Sequence, residues 1–119
     1  MTLALDWPTL NNTTVNDAVV PPLDERPWWD RVVFRRCDFR QSNLAKLEAF
    51  DCAFEDCDFR GVSMVKAEFY GCRFERCAMS GADTTFAAFI DGAEFVATEL
   101  GADQVARLSG PIETTRMVF

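Results

Sequence analysis

Five cysteines, Cys37, Cys52, Cys57, Cys72 and Cys77, have the widest choice of chemistry in this chain: nucleophile, metal ligand or disulfide partner. Their spacings are 15, 5, 15 and 5, unlike the closely spaced pairs of structural zinc sites. The chain has no histidine, which removes the commonest general base and the Ser–His and Cys–His nucleophile pairs. Three carboxylate pairs remain: Glu48 with Glu68, Asp38 with Asp58, and Glu55 with Glu75, each 20 residues apart. Acid–base work by such a pair needs a cleft that excludes water. No glycine-rich phosphate loop is present. These residues predict no catalytic site, no metal site and no cofactor, and a protein that is not an enzyme.

The element that positions them is a five-residue register running from Val32 to Arg107. Its centres are Phe34, Phe39, Leu44, Ala49, Phe54, Phe59, Met64, Phe69, Phe74, Met79, Thr84 and Phe89; after one inserted residue near Asp91-Gly92 it resumes at Phe95, Leu100 and Val105. A small residue precedes each centre by two positions, and every cysteine sits there. Period five fits neither the helix nor the strand; it suits a chain that turns a corner once per unit and builds a solenoid. Cys37, Cys57 and Cys77, like Gly61 and Gly81, also repeat at 20, which makes four sides to a coil. Residues 20 apart then stack about 4.8 Å from one another, and the cysteines become small, buried, free packing residues. Leu47 is large where its neighbours are small and is matched by the undersized centre Ala49, a swap that conserves volume.

Ser42-Asn43-Leu44-Ala45-Lys46, Ala67-Glu68-Phe69-Tyr70-Gly71 and Ala93-Glu94-Phe95-Val96-Ala97 carry a likeness to a known motif. On these units the chain resembles the pentapeptide-repeat family, whose loose motif is Ala-(Asp/Asn)-Leu-X-X. The resemblance implies an all-β fold, a right-handed quadrilateral β-helix of about four coils.

Around that tract, residues 1–31 form an N-terminal arm or cap and 108–119 a C-terminal tail or cap. Leu3, Leu5 and Trp7 alternate with polar or small residues and predict a short strand ended by Pro8; Asn11 to Thr14 and Pro21-Pro22 predict turn or extended segments. Ala102 to Leu108 has helical composition, an alternative to a last repeat unit. Ile112 to Phe119 alternates as a strand, with Thr115, Met117 and Phe119 on one side, and either closes its own end or pairs with a second subunit.

The net charge of -7 disfavours direct nucleic-acid binding and favours a basic partner or imitation of a polyanion. No run of 18 apolar residues predicts a membrane span. Met1 to Asp6 lacks the marks of a signal peptide, which predicts a cytoplasmic protein.

One outward row is apolar. Phe50, Tyr70 and Ile90 follow their centres at 20-residue intervals, and Phe86 stands at the neighbouring corner above Lys66 and Lys46. Such a stripe needs a cover, either an intramolecular lid from Trp28, Trp29, Leu3 or Leu5, or a contact with a partner or a second copy. The reading of this sequence is a non-catalytic protein-interaction or assembly module that self-associates, as a dimer. The family resemblance implies an alternative, a DNA-mimicking protein that protects a topoisomerase such as gyrase. Against it, four coils span only roughly 19 Å, the rise of about six base pairs.

Overall fold

The computed structural model describes residues 5–23, 26–110 and the backbone of 114–118. Strands β1 (Thr9–Asn16), β2 (Trp28–Arg35), β3 (Glu48–Phe50), β4 (Ala53–Glu55), β5 (Glu68–Tyr70), β6 (Arg73–Glu75), β7 (Ala88–Ile90) and β8 (Ala93–Val96) precede helix α1 (Ala102–Ala106) and strand β9 (Thr114–Val118). Every strand pairing is parallel. One face stacks β2, β3, β5 and β7; the next stacks β2, β4, β6, β8 and β9. The other two faces are stitched by single bridges, Asp38 to Asp58 to Ala78 on one and Asn43 to Ser63 to Asp83 on the other. The result is the right-handed quadrilateral β-helix, with α1 its one helix among the described residues.

Alternation within each three-residue strand explains the core. The middle residue points inward and its neighbours outward, so Phe34, Phe39, Leu44, Phe54, Phe59, Met64, Phe69, Phe74, Phe89 and Phe95 are all buried. Their rings form columns: Phe34 on Phe54 at 5.2 Å and 1°, Phe54 on Phe74 at 4.9 Å and 12°, and Phe74 on Phe95 at 5.3 Å and 9°. Neighbouring columns meet edge to face, as Phe54 does Phe59, the arrangement that the ring quadrupole favours. Corners demand positive φ, which glycine adopts without a steric cost. Gly61 and Gly81 meet this demand at one corner column, with φ of 72° and 73°. Gly71 has φ of 63°, and a Cβ there would lie 2.7 Å from the Asp51 carboxylate.

Three strand pairings depart from an offset of 20, one of them that of β8 with β9, at 21 and then 22. Arg73 pairs with Glu94, an offset of 21, and the extra residue is absorbed at Asp91 and Gly92, both at positive φ. Thr9 pairs with Trp28, an offset of 19.

The strand expected to end at Pro8 instead begins at Thr9; Leu5 to Pro8 is irregular, and Leu3 lies outside the described residues. Leu10 and Val15 supply the buried residues that a strand needs, and Asn12 and Asp17 take the same corner conformation as Arg31 and Arg36. The segment Asn11 to Thr14 is therefore part of a coil rather than a turn, hydrogen-bonded to the open edge of β2. The five-residue register starts before Val32, since Leu10, Val15, Val20 and Trp29 are all buried centres.

At the other end α1 forms in place of a repeat unit. Gln104 donates to the Met79 and Ala82 carbonyls at 2.7 and 3.1 Å, while Thr84 Oγ1 donates to the Gln104 carbonyl at 2.7 Å. The weak centre Thr84 is thus a buried hydroxyl with a partner. β9 pairs with β8 of its own chain, with a bulge between Ala93 and Glu94. Phe119 lies outside the described residues. No helix among the described residues is long and apolar enough to cross a membrane.

Candidate functional site

The cysteines line the interior as free, buried thiols. Their Sγ atoms donate to backbone carbonyls of the preceding coil: Cys57 to Phe34, Cys72 to Ala49 and Cys77 to Phe54, at 3.2–3.4 Å. The Cys57 thiol and burial hold the Cys37 pKa far above its ordinary value. For Cys57 the Cys37 thiol acts downward, but the Cys77 thiol and burial outweigh it and push the group up to about 12. The Cys52 thiol and burial raise Cys72. The Cys72 thiol in turn lowers Cys52, but burial keeps this thiol, like the other four, from reagents and metal ions. Native protein is therefore expected to resist a thiol reagent at pH 8 and to release five thiols only in guanidinium chloride; a thiol that reacts at once in the native state contradicts this packing.

The carboxylate pairs do stack as the period requires, Glu48 on Glu68 and Glu55 on Glu75. Most carboxylates on the other faces are engaged by arginine. The Arg40 guanidinium holds the Asp38 carboxyl down to about 2, and Arg60 lowers Asp58 likewise. At one corner Asp17 pairs with Arg36 at 2.6 Å and Asp56 with Arg76 at 2.8 Å, a ladder of alternating charge. Arg35 pairs with Glu55 and Arg73 with Glu75. A carboxyl fixed as an anion beside a guanidinium makes a poor general acid. Among the described residues no cluster of three or more acidic or cysteine side chains is arranged to hold a metal ion.

The apolar row lies where the period places it. Phe50 and Tyr70 are stacked at 4.8 Å and 5°, with Ile90 next in register. All three are half-buried against one another, whereas Phe86 on the corner is 60 % exposed. The two adjacent tryptophans separate: Trp29 is a fully buried centre, and Trp28 packs outward on Phe50 at 5.8 Å. Trp28 stacks in register with Glu48, so it flanks the first rung of the row instead of covering it, while Asp30 is the residue in register with Phe50; Leu5 is exposed. Ala88, half-buried and in register with Glu68, lies between Phe86 and Ile90 along the chain. Sequence reasoning missed Trp28 as a neighbour of this row; the five-residue step back from Phe34, which makes Trp29 a centre and turns Trp28 outward, would have found it.

Carboxylates border the row. The Tyr70 hydroxyl donates to Glu68 at 2.6 Å. That bond, partial burial and the charges of Glu68, Glu48 and Asp91 push the hydroxyl up to about 12. A second concavity of about 980 Å³ opens at the C-terminal end between Met79–Asp83 and α1. Its Asp83 is held low by the Thr85 hydroxyl, and the Cys77 thiol in its wall donates to the Phe54 and Glu75 carbonyls rather than to a base.

This geometry defines a parallel β-solenoid with a packed interior and ordered outward rows. The chain belongs to the pentapeptide-repeat family: residues 28–103 match the pentapeptide repeat region that defines it. Among solved structures it is similar to QnrB1, described as a plasmid-mediated fluoroquinolone resistance protein, in a trypsin-treated variant. There the TM-score is 0.54 at 17 % identity over 76 % of this chain, which spans about half of QnrB1, 49 %. It is also similar to Rfr23, a pentapeptide repeat protein from the cyanobacterium Cyanothece 51142, with a TM-score of 0.51 and 14 % identity over 93 % of this chain and 87 % of that one. At such identities the likeness is one of fold. No curated protein matches the sequence.

Proposed function

We infer that this protein is a non-catalytic, cytoplasmic interaction module in which the β-helix of residues 32–107 presents a rigid face and the flanking segments close its two ends. The observation that carries this reading is the ordered outward row Phe50, Tyr70 and Ile90 with Trp28 and Phe86 beside it, left without a lid among the described residues. Apolar surface held in register on a rigid scaffold favours a protein contact. Self-association as a homodimer belongs to the same reading, through the ends of the stack. At the C-terminal end the backbone N–H groups of Met79 and Gly81 have no acceptor among the described residues.

A photo-crosslinking residue at Phe86 is expected to give a discrete adduct in native extract, where the same residue at Gln41 gives none. Excess unlabelled protein should abolish the adduct, and excess Tyr70→Asp should not. Equal labelling from both positions would remove the reading.

A second reading, a DNA-mimicking protein that shields gyrase, draws on the fold shared with QnrB1 and on the charge of -7. Duplex DNA carries one charge about every 1.7 Å of its axis. Here the acidic rows outside the apolar face are largely neutralised by arginine. Protection of gyrase in a supercoiling assay would reverse the order of the two readings.

A further inference from the structure

The charges around the apolar row differ from those elsewhere. On the other faces Arg35, Arg36, Arg40, Arg60, Arg73 and Arg76 each sit within 4 Å of a carboxylate. Along the row, Asp51 and Asp91 on one side have no cation within 4 Å among the described residues. Glu48 and Glu68 lie on the other side, where the closest approach is Arg26 at 4.0 Å from Glu48 and the corner lysines Lys46 and Lys66, under Phe86, offset their charge. An apolar ridge bracketed by carboxylates disfavours a second copy of itself. A two-fold that lays the rows antiparallel, centred on Tyr70, opposes Asp51 to Asp91 and Glu68 to Glu68. One that lays them parallel brings Asp51 beside the other copy's Glu48. Like charges so placed cost several kcal/mol.

We propose that this face docks a basic amphipathic α-helix of a partner protein, apolar residues on the Phe50–Tyr70–Ile90 row and lysines or arginines against Asp51 and Asp91. The spacing fits a helix lying along the row. Successive rungs are about 4.8 Å apart, and a helix presents one apolar side chain per turn every 5.4 Å. Across three rungs the accumulated mismatch is about 1.2 Å, within the reach of flexible side chains. This is the mode of recognition in which the apolar anchors of an amphipathic helix meet an apolar surface. This inference rests on the interaction-module reading and specifies its partner.

A fluorescent leucine–lysine amphipathic helix, its leucine–glutamate counterpart and fluorescence anisotropy test it. The lysine peptide is expected to bind the full chain and the glutamate peptide not to bind. Ile90→Ser and the pair Asp51→Asn with Asp91→Asn should each weaken binding at least tenfold. The pair Glu99→Gln with Asp103→Asn removes the same charge from exposed sites outside the row and should leave binding unchanged. Equal loss from both pairs would show attraction to net charge alone and overturn the proposal. So would binding of the glutamate peptide, or a dimer mass by light scattering that Tyr70→Asp returns to 13.4 kDa. A Phe86 adduct to a non-basic partner would overturn the proposal and leave the module reading standing.

Discussion

Phe54→Ala is expected to lower the unfolding free energy by about 3–5 kcal/mol, a large share of the roughly 5–15 kcal/mol that holds a typical domain folded. Phe54 is fully buried at the middle of the stack. It is sandwiched by Phe34 and Phe74 and meets Phe39, Phe59 and Phe69 edge-on. Each coil of a solenoid contacts only its neighbours, so a void here weakens the coupling both above and below it. Urea titration followed by far-UV circular dichroism reads the loss. Phe54→Leu keeps more of the volume and supplies a measurable variant should the alanine fail to fold. A loss below about 1 kcal/mol for the alanine would mean that the interior repacks as a fluid, against the close packing of protein cores.

The repeat was legible because its physical demand is local: one bulky and one small inward residue per corner. That demand alone places Phe34 to Phe95 in the core and makes the cysteines space-filling residues. The first coil was hidden for a geometric reason. The offset of 19 between β1 and β2 breaks the 20-residue rhythm, and Thr13 and Thr14 look like turn residues until β2 offers them an edge. The charge pairs were partly hidden too. Stacking at 20 anticipates Asp56 with Arg76, but Arg40 folds back two residues to Asp38 and Arg60 to Asp58 along one side of the square. Alternation in the C-terminal segment could not choose its partner, since β8 and a second subunit offer equivalent edges. Gln104 was invisible because nothing in its neighbours announces that its amide will close the carbonyls of Met79 and Ala82.

Trp29→Ala should come close to Phe54→Ala in effect, about 3–5 kcal/mol, and its consequences should spread differently. Trp29 stacks in register with Ala49, the smallest centre of the repeat. Its indole lies 4.8 Å from Phe34 in its own coil and 6.4 Å from Phe54 in the next, over the space that Ala49 leaves. Leu47 and Trp29, both fully buried, together supply the volume missing at Ala49. The indole N–H also donates to the Trp7 carbonyl at 2.7 Å, which ties the segment before β1 to the stack. In the otherwise unchanged protein Ala49→Phe overfills this space, at a cost of about 1–3 kcal/mol. Combined with Trp29→Ala, the same phenylalanine occupies the vacated volume, so the double variant should be more stable than Trp29→Ala alone. The expected coupling is on the order of 0.5–3 kcal/mol in a double-mutant cycle of urea titrations. Strict additivity would show that Ala49 is small for some reason other than the indole beside it.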